Sequence, residues 1–587
     1  MRSDFVPYDP QQRLHQNLLP PHSTRFVLRA SGHLQLDGQP WRPTHEGPNG
    51  GQARRQRHWT NIGLGCRVAA GIWLSCWAVL LDCVKPAIES DESLVKHKTH
   101  IDTIFKSIGT GLDNPFNQAI KHVILTIALC FEIGNEKVEY VLAPLLKKLN
   151  ERRESHNFHN EKEAEHATGC AIKALGPEFV LKIIPLRDGN NINLDRSWLL
   201  PVLKEKITNS SLKFFGTEIL EMATFCRKRS REFAEAKDAA NSHTYDLLCN
   251  QFWSLFPSFC NYPKDVKDNF KVIARVLGNV LKDNPEFRLS IMLGLRKLVA
   301  CSEDNLEDKS ELARFAKNYV PILLNVYMSP AKGSDAEGQR LAALETIQVY
   351  LTISDQTLRE ELFTNAVQQL DASKDNHFQR ESILDVIRVL VLYQDPDQIA
   401  NLFEKWVYPL CDTVLEDPKK FNKKNRKEKM ETEESQQQNG EKKNDLRYKD
   451  KAKLLEMEHK KAYRILEEIF KSDKESCKEF LKNNYKKIKK LLMSSLNKVA
   501  DSSKAARLRC IEHLINSSPY LNAESKLLKS AIAESVICTR DINSRCRQCA
   551  FTLINTIGNV LKTQDGGMQS FLTMLLFGLS APLPRIT

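Results

Sequence analysis

The chain has 587 residues, too many for one compact core, so it folds as several domains or as one elongated array. Its 42% hydrophobic and 27% charged content is that of a folded soluble protein, and 24 Gly with 24 Pro are too few for a sandwich, barrel or collagen-like chain. The net charge of +12 is regional: residues 418–509 hold 28 Lys and Arg against 15 Asp and Glu, a net of +13, so the remainder sums to about −1. A local excess of this kind points to one polyanion-facing surface. The 15 cysteines stand singly in apolar stretches, as at Cys130, Cys170, Cys249 and Cys510. They read as small buried hydrophobes of a reducing compartment rather than as a disulfide framework.

Residues 1–60 contain PPHS, DGQPWRP, EGPNGG and RRQRH, show no helical period and are expected to be disordered. Val68–Leu81 (VAAGIWLSCWAVLL) is apolar, but its 14 residues fall short of the span of about 20 that crosses a bilayer. It also starts too far into the chain for a signal peptide. A buried solenoid helix is the expected reading and a membrane anchor the alternative. From about Leu112 onward amphipathic segments follow one another with short polar breaks. Ala119–Ile133, Lys271–Leu281, Phe287–Val299, Gln339–Leu351, Ser382–Leu392 and Ala550–Leu561 each carry apolar residues at i, i+3, i+4 and i+7, the helix period. No alternating strand run competes. The expected fold class is all-α.

Prolines add a second regularity. Pro144, Pro185, Pro201, Pro321 and Pro409 each sit in a hydrophobic helical stretch, and the intervals 144–185 and 201–321 fit a period near 40. Proline removes a backbone donor, so it kinks a helix or sits at its start. A kinked helix followed by a straight one at this period is the pattern of degenerate HEAT or armadillo-like repeats stacked into an α-solenoid, in which function belongs to surfaces. Asp417–Asp450 has almost no large apolar residues and is expected to be a charged, disordered linker. It divides an N-terminal array (61–416) from a C-terminal one (451–587).

The chain has no G-x-x-x-x-G-K-[ST], G-x-S-x-G or H-E-x-x-H. No catalytic residue, metal site or cofactor is expected. Cys546-x-x-Cys549 has the spacing of half a zinc site but lies in a helical segment with no second pair. His156, His159, His166 and Cys170 cluster near Glu161, Glu163 and Glu165, with His166 and Cys170 one turn apart, and helix packing is the expected reading there too. Ser302–Ser310 (SEDNLEDKS) lacks the glycine and ligand spacing of a calcium loop and reads as a polar turn.

The basic elements are more informative. Lys419, Lys420, Lys423, Lys424, Arg426, Lys427 and Lys429 form a candidate nuclear import signal or nucleic-acid patch, with a merely solvated linker as the plain alternative. Lys482, Lys486, Lys487, Lys489 and Lys490 (LKNNYKKIKKLL) form a candidate RNA-binding ridge, with Ile488, Leu491 and Leu492 as its buried side; Arg507 and Arg509 follow and are included in it. Such a ridge suits contact with phosphates without reading bases. An ordinary solvated face is the alternative. Arg227, Lys228, Arg229 and Arg231 form a third cluster at the end of a helix, where cations are favoured by the dipole alone.

Several stretches resemble one family. Ala174–Leu186 (ALGPEFVLKIIPL), Arg196–Leu203 (RSWLLPVL), Gln251–Asp265 (QFWSLFPSFCNYPKD), Phe287–Val299 and Lys460–Glu468 (KKAYRILEE) resemble the ribosomal-RNA-processing-protein-twelve family, over about residues 110–580. The resemblance implies a HEAT-repeat ribosome-biogenesis scaffold of the nucleus and nucleolus. It implies binding to ribosomal RNA and proteins of pre-ribosomal particles, and support of pre-rRNA maturation and nuclear export of the subunits. Nuclear transport factors are further partners it suggests, while a membrane partner is not expected. A karyopherin-type transport receptor or a general HEAT-repeat protein scaffold is the alternative. Residues 1–85 do not resemble the family's start, and the chain stops at Ile586-Thr587 where family members continue. A C-terminally truncated array whose uncapped last repeat promotes aggregation is therefore expected.

Overall fold

The computed structural model describes residues 77–113, 119–189, 191–373, 376–413, 438–495, 499–517 and 525–580. All belong to one unit, Ala69–Thr587. The expected N-terminal segment 1–60 and the import-signal candidates Lys419, Lys420, Lys423, Lys424, Arg426, Lys427 and Lys429 lie outside the described residues, as does most of Val68–Leu81. Among the described residues no helix is long and apolar enough to cross a membrane.

Val266–Asp283 shows how the sequence makes each helix. Val266, Phe270, Ile273, Ala274, Leu277 and Leu281 lie on one stripe and are buried, while Lys267, Asp268, Lys271 and Arg275 face water. A single stripe can be covered only by neighbours, so the helices stack in two layers. One layer runs through Ile120–Ile133, Glu161–Leu175, Leu199–Lys206, Phe256–Phe259, Arg288–Cys301, Ser334–Ile353 and His377–Leu390. It continues into Gln438–Lys471, Lys504–Asn516 and Ser544–Lys562, each packed on the one before. The second layer includes Asp91–Thr110, Glu139–Arg153, Val266–Asp283 and Ala316–Met328, then Glu475–Ser494, Lys526–Cys538 and Gly567–Ser580. This alternation is an α-solenoid.

Prolines serve it in more than one way. Pro144 and Pro321 lie inside helices, and Pro201 is in the first turn of Leu199–Lys206. Pro409 follows a π-helical turn, Phe403–Val407. Pro185 differs from the expectation, since it follows the helix Pro177–Ile183 and leads into a two-residue antiparallel ladder pairing Arg187 with Ile192. Asn305 caps Leu306–Arg314 through Glu307 and Asp308 N–H, so the later half of the acidic stretch expected as a turn is helix.

The segments that carry the family resemblance are packing elements. Trp253 stacks on Phe287 at 5.2 Å between centroids, and the Asp265 carboxylate accepts from Ser211 Oγ and Leu212 N, both at 2.7 Å. Phe256 lies so close to Gly294 that a Cβ there would stand 2.3 Å from Phe256 Cε1. In RSWLLPVL, Trp198 lies 3.8 Å beneath the Arg153 guanidinium, and Arg196 donates to Glu154 at 2.8 Å and to the Pro185 carbonyl at 2.9 Å.

Across the stretch expected as a linker the stack goes on. Gln438–Lys471 is one helix, so helical structure begins ahead of residue 451. It packs on His377–Leu390 through ion pairs: Arg380 with Glu458, Lys461 with Asp385, and Arg388 with Glu468 at 2.9 Å. Glu458, Lys461, Asp385 and Arg380 are buried. Tyr327 donates to Asp385 at 2.9 Å and Arg380 to the Leu370 carbonyl at 3.2 Å. Removing one partner from such a pair leaves an uncompensated buried charge.

Candidate nucleic-acid interface

The ridge runs from Lys482 to Lys490 along the helix Glu475–Ser494. Cys477, Phe480, Leu481, Ile488, Leu491 and Leu492 bury one side of this helix. The opposite side therefore carries the lysines. Lys482, Lys486, Lys487 and Lys490 are exposed and Lys489 is half-buried. Lys482 to Lys490 spans about 12 Å of helix axis. Among the described residues Lys482, Lys486, Lys489 and Lys490 have no ion-pair partner, whereas Lys487 pairs with Glu404. That pair is more than half exposed on both sides and adds little to stability, so it does not prevent Lys487 from contacting a ligand.

Arg507 and Arg509 do not belong to this surface. Arg507 is fully buried; its guanidinium meets Glu534 at 2.7 and 3.2 Å and donates to Ser495 Oγ at 2.7 Å, to Tyr463 OH at 3.3 Å and to the Leu492 carbonyl. Burial alone would lower its pKa, but the Glu534 carboxylate reverses this and holds the guanidinium charged. Arg509 forms a bidentate pair with Glu467 at 2.6 and 2.8 Å and donates to Cys549 Sγ at 3.2 Å. Burial again acts against its charge and Glu467 outweighs it. Both partners are distant in sequence and lie on other helices, Glu534 on Lys526–Cys538 and Glu467 on Gln438–Lys471. Arg507 instead ties the end of the ridge helix to Lys526–Cys538 through Glu534.

The third basic cluster is largely neutralised. Arg227 pairs with Asp246 at 3.2 Å and with Glu286, and Arg229 with Glu232 at 2.8 Å. Cys546 and Cys549 are buried on Ser544–Lys562. The Cys170 thiol donates to Glu132 at 3.4 Å, lies 3.8 Å from His166 Nε2, and is pushed up to about 12 by burial and by Glu132. Among the described residues no group of three His, Cys, Asp or Glu side chains is placed to hold a metal ion.

Residues 70–330 match the family model "Ribosomal RNA-processing protein 12, HEAT repeats". The RRP12-like protein of Drosophila melanogaster is 31% identical over 521 residues, covering 89% of this chain and 35% of that protein. The chain belongs to the ribosomal RNA-processing protein 12 family. The human RRP12-like protein is 29% identical over 87% of this chain and 37% of its own length. Ribosomal RNA-processing protein 12 of Saccharomyces cerevisiae is 21% identical over 70% of this chain and 32% of its own length. The chain thus spans about a third of the length of the curated relatives it matches. Among solved structures, Kap121p aligns at 11% identity and TM-score 0.41 over 86% of this chain and 53% of its own, and a Kap95p–RanGDP structure at 12% and 0.41 over 84% and 60%. The family-model match ends at residue 330, ahead of the ridge, while the Drosophila and human relatives align over 521 residues each.

The basic side chains that sequence reasoning passed over are Lys453, Lys460 and Arg464, on the first layer. KKAYRILEE holds three cations, Lys460, Lys461 and Arg464, against two anions, Glu467 and Glu468, an excess of one that does not single out any member.

Proposed function

We propose that this chain is a non-enzymatic scaffold of ribosome biogenesis. It binds pre-ribosomal particles and ribosomal RNA in the nucleus and nucleolus, and supports pre-rRNA maturation and export of the subunits. Family membership carries this reading, because the relatives are named for ribosomal RNA processing. The ridge supplies a physical means. Lys482, Lys486, Lys489 and Lys490 present charge that no carboxylate among the described residues neutralises, on a helix whose other side is locked into the stack. Ammonium groups so placed attract phosphates and release counterions without distinguishing bases. Lys487 joins them when RNA displaces Glu404.

Crosslinking the chain to RNA in cells and sequencing what is recovered tests the reading. Enrichment of ribosomal precursor RNA is expected. Recovery of no more ribosomal precursor than from an unrelated control protein would refute it.

A further inference from the structure

Three of the five charges in Lys460–Glu468 have an intramolecular ion-pair partner. Lys461 binds Asp385 and, at 3.1 Å, Glu381; Glu467 takes Arg509, and Glu468 takes Arg388. Lys460 and Arg464 are the exceptions. They lie one turn apart on the same helix, both are half-buried, and neither has an ion pair or hydrogen bond among the described residues. Unpaired cations withdrawn from water cost free energy. Burial lowers the Lys460 pKa, the charges of Arg464 and Lys461 lower it further, and Glu381 and Glu456 offset this only in part.

Both side chains line a cavity of about 240 Å³ between the long helix and the Asp501–Ser503 turn. Lys453, Lys461 and Ser502 also line it, and the Ser502 hydroxyl is buried with no hydrogen-bond partner. Four cations therefore meet two carboxylates, Glu381 and Glu456, around an orphaned hydroxyl. A lining of this kind suits an anion that accepts several hydrogen bonds. A phosphate monoester carries about −1.5 to −2 charges and three acceptor oxygens, enough for a guanidinium, an ammonium and a hydroxyl together. A polynucleotide fits less well, because its neighbouring phosphates would meet Glu381 and Glu456.

We propose that this cavity binds the phosphate of a phosphorylated serine or threonine side chain on a protein partner. The site is separate from the ridge, which lies on the other layer, and adds a phosphate-dependent protein contact to the proposed RNA contact.

The test is fluorescence anisotropy of the full chain with three labelled probes: a glycine-flanked phosphoserine peptide, its unphosphorylated form, and single-stranded RNA. The phosphopeptide is expected to bind at least tenfold more tightly than the unphosphorylated peptide. Lys460→Gln with Arg464→Gln should remove that preference and change RNA affinity less than twofold. Equal affinity of wild-type chain for the two peptides would overturn the proposal, whatever the variant's folding. So would a double variant that keeps the phosphopeptide preference but loses RNA affinity, which would assign the cavity to RNA.

Discussion

Replacing Arg507 with methionine separates a structural arginine from an RNA-binding one. The substitution removes both contacts to Glu534, the donors to Ser495 and Tyr463, and the bond to the Leu492 carbonyl at the end of the ridge helix. The Glu534 side chain, only 6% exposed, is then left without its cation. Breaking a buried pair from one side costs about 3–5 kcal/mol. In a stack of repeats held mainly by neighbours the loss is local. It should appear as faster hydrogen exchange in Glu475–Ser494 and Lys504–Asn516, by about two to nearly four powers of ten in the opening equilibrium at about 1.4 kcal/mol each. Adding Glu534→Leu should recover much of it, because an apolar pair of similar volume replaces a buried ion pair with little loss. Normal exchange protection in Arg507→Met together with lost RNA affinity would refute the reasoning and return Arg507 to the RNA surface.

Three further outcomes follow from the packing. Asp385→Asn leaves the buried Lys461 with Glu381 alone and should destabilise the His377–Leu390/Gln438–Lys471 junction by about 3 kcal/mol or more, read as faster exchange in both helices. Gly294→Ala drives a Cβ into Phe256 and should lower the urea midpoint by an amount corresponding to about 1–3 kcal/mol, less about 1 kcal/mol of helix propensity. Lys474 stands at the N-cap of the ridge helix, 3.1 Å from the centre of the Tyr393 ring, and burial with help from Arg359 lowers its pKa to about 8. The unfolded chain then holds more protons than the folded one between about 8 and the ordinary 10.5, so this group's contribution to stability rises with pH across that window. Lys474→Ser should flatten that rise in urea titrations at pH 7 and 9.5, and should stabilise the helix by about 1 kcal/mol at pH 7 through capping.

The α-solenoid was legible because a single apolar stripe per helix leaves stacking as the way to bury it, and Val266–Asp283 shows such a stripe plainly. The lysine ridge was legible for the same reason, since Ile488, Leu491 and Leu492 fix which way the KKIKK segment faces. Arg507 and Arg509 were misread because charge was counted along the chain. Their carboxylates, Glu534 and Glu467, are brought to them only by packing between helices. The helix from Gln438 was hidden by polar composition, since its N-terminal turns carry almost no large apolar residues and are continuous with the buried stripe that begins further on. Lys460 and Arg464 were invisible in the opposite sense: they stand among paired charges, and only three-dimensional neighbours show which members of KKAYRILEE lack a partner.

The most direct test of the account is the salt dependence of RNA binding by the ridge. Single-stranded ribosomal RNA affinity is measured against salt concentration for the wild-type chain and for Lys482→Gln, Lys486→Gln, Lys489→Gln and Lys490→Gln combined. Four lost phosphate contacts should reduce the slope of log affinity against log salt by about 3. A slope and affinity unchanged from wild type would contradict the claim that this helix grips RNA.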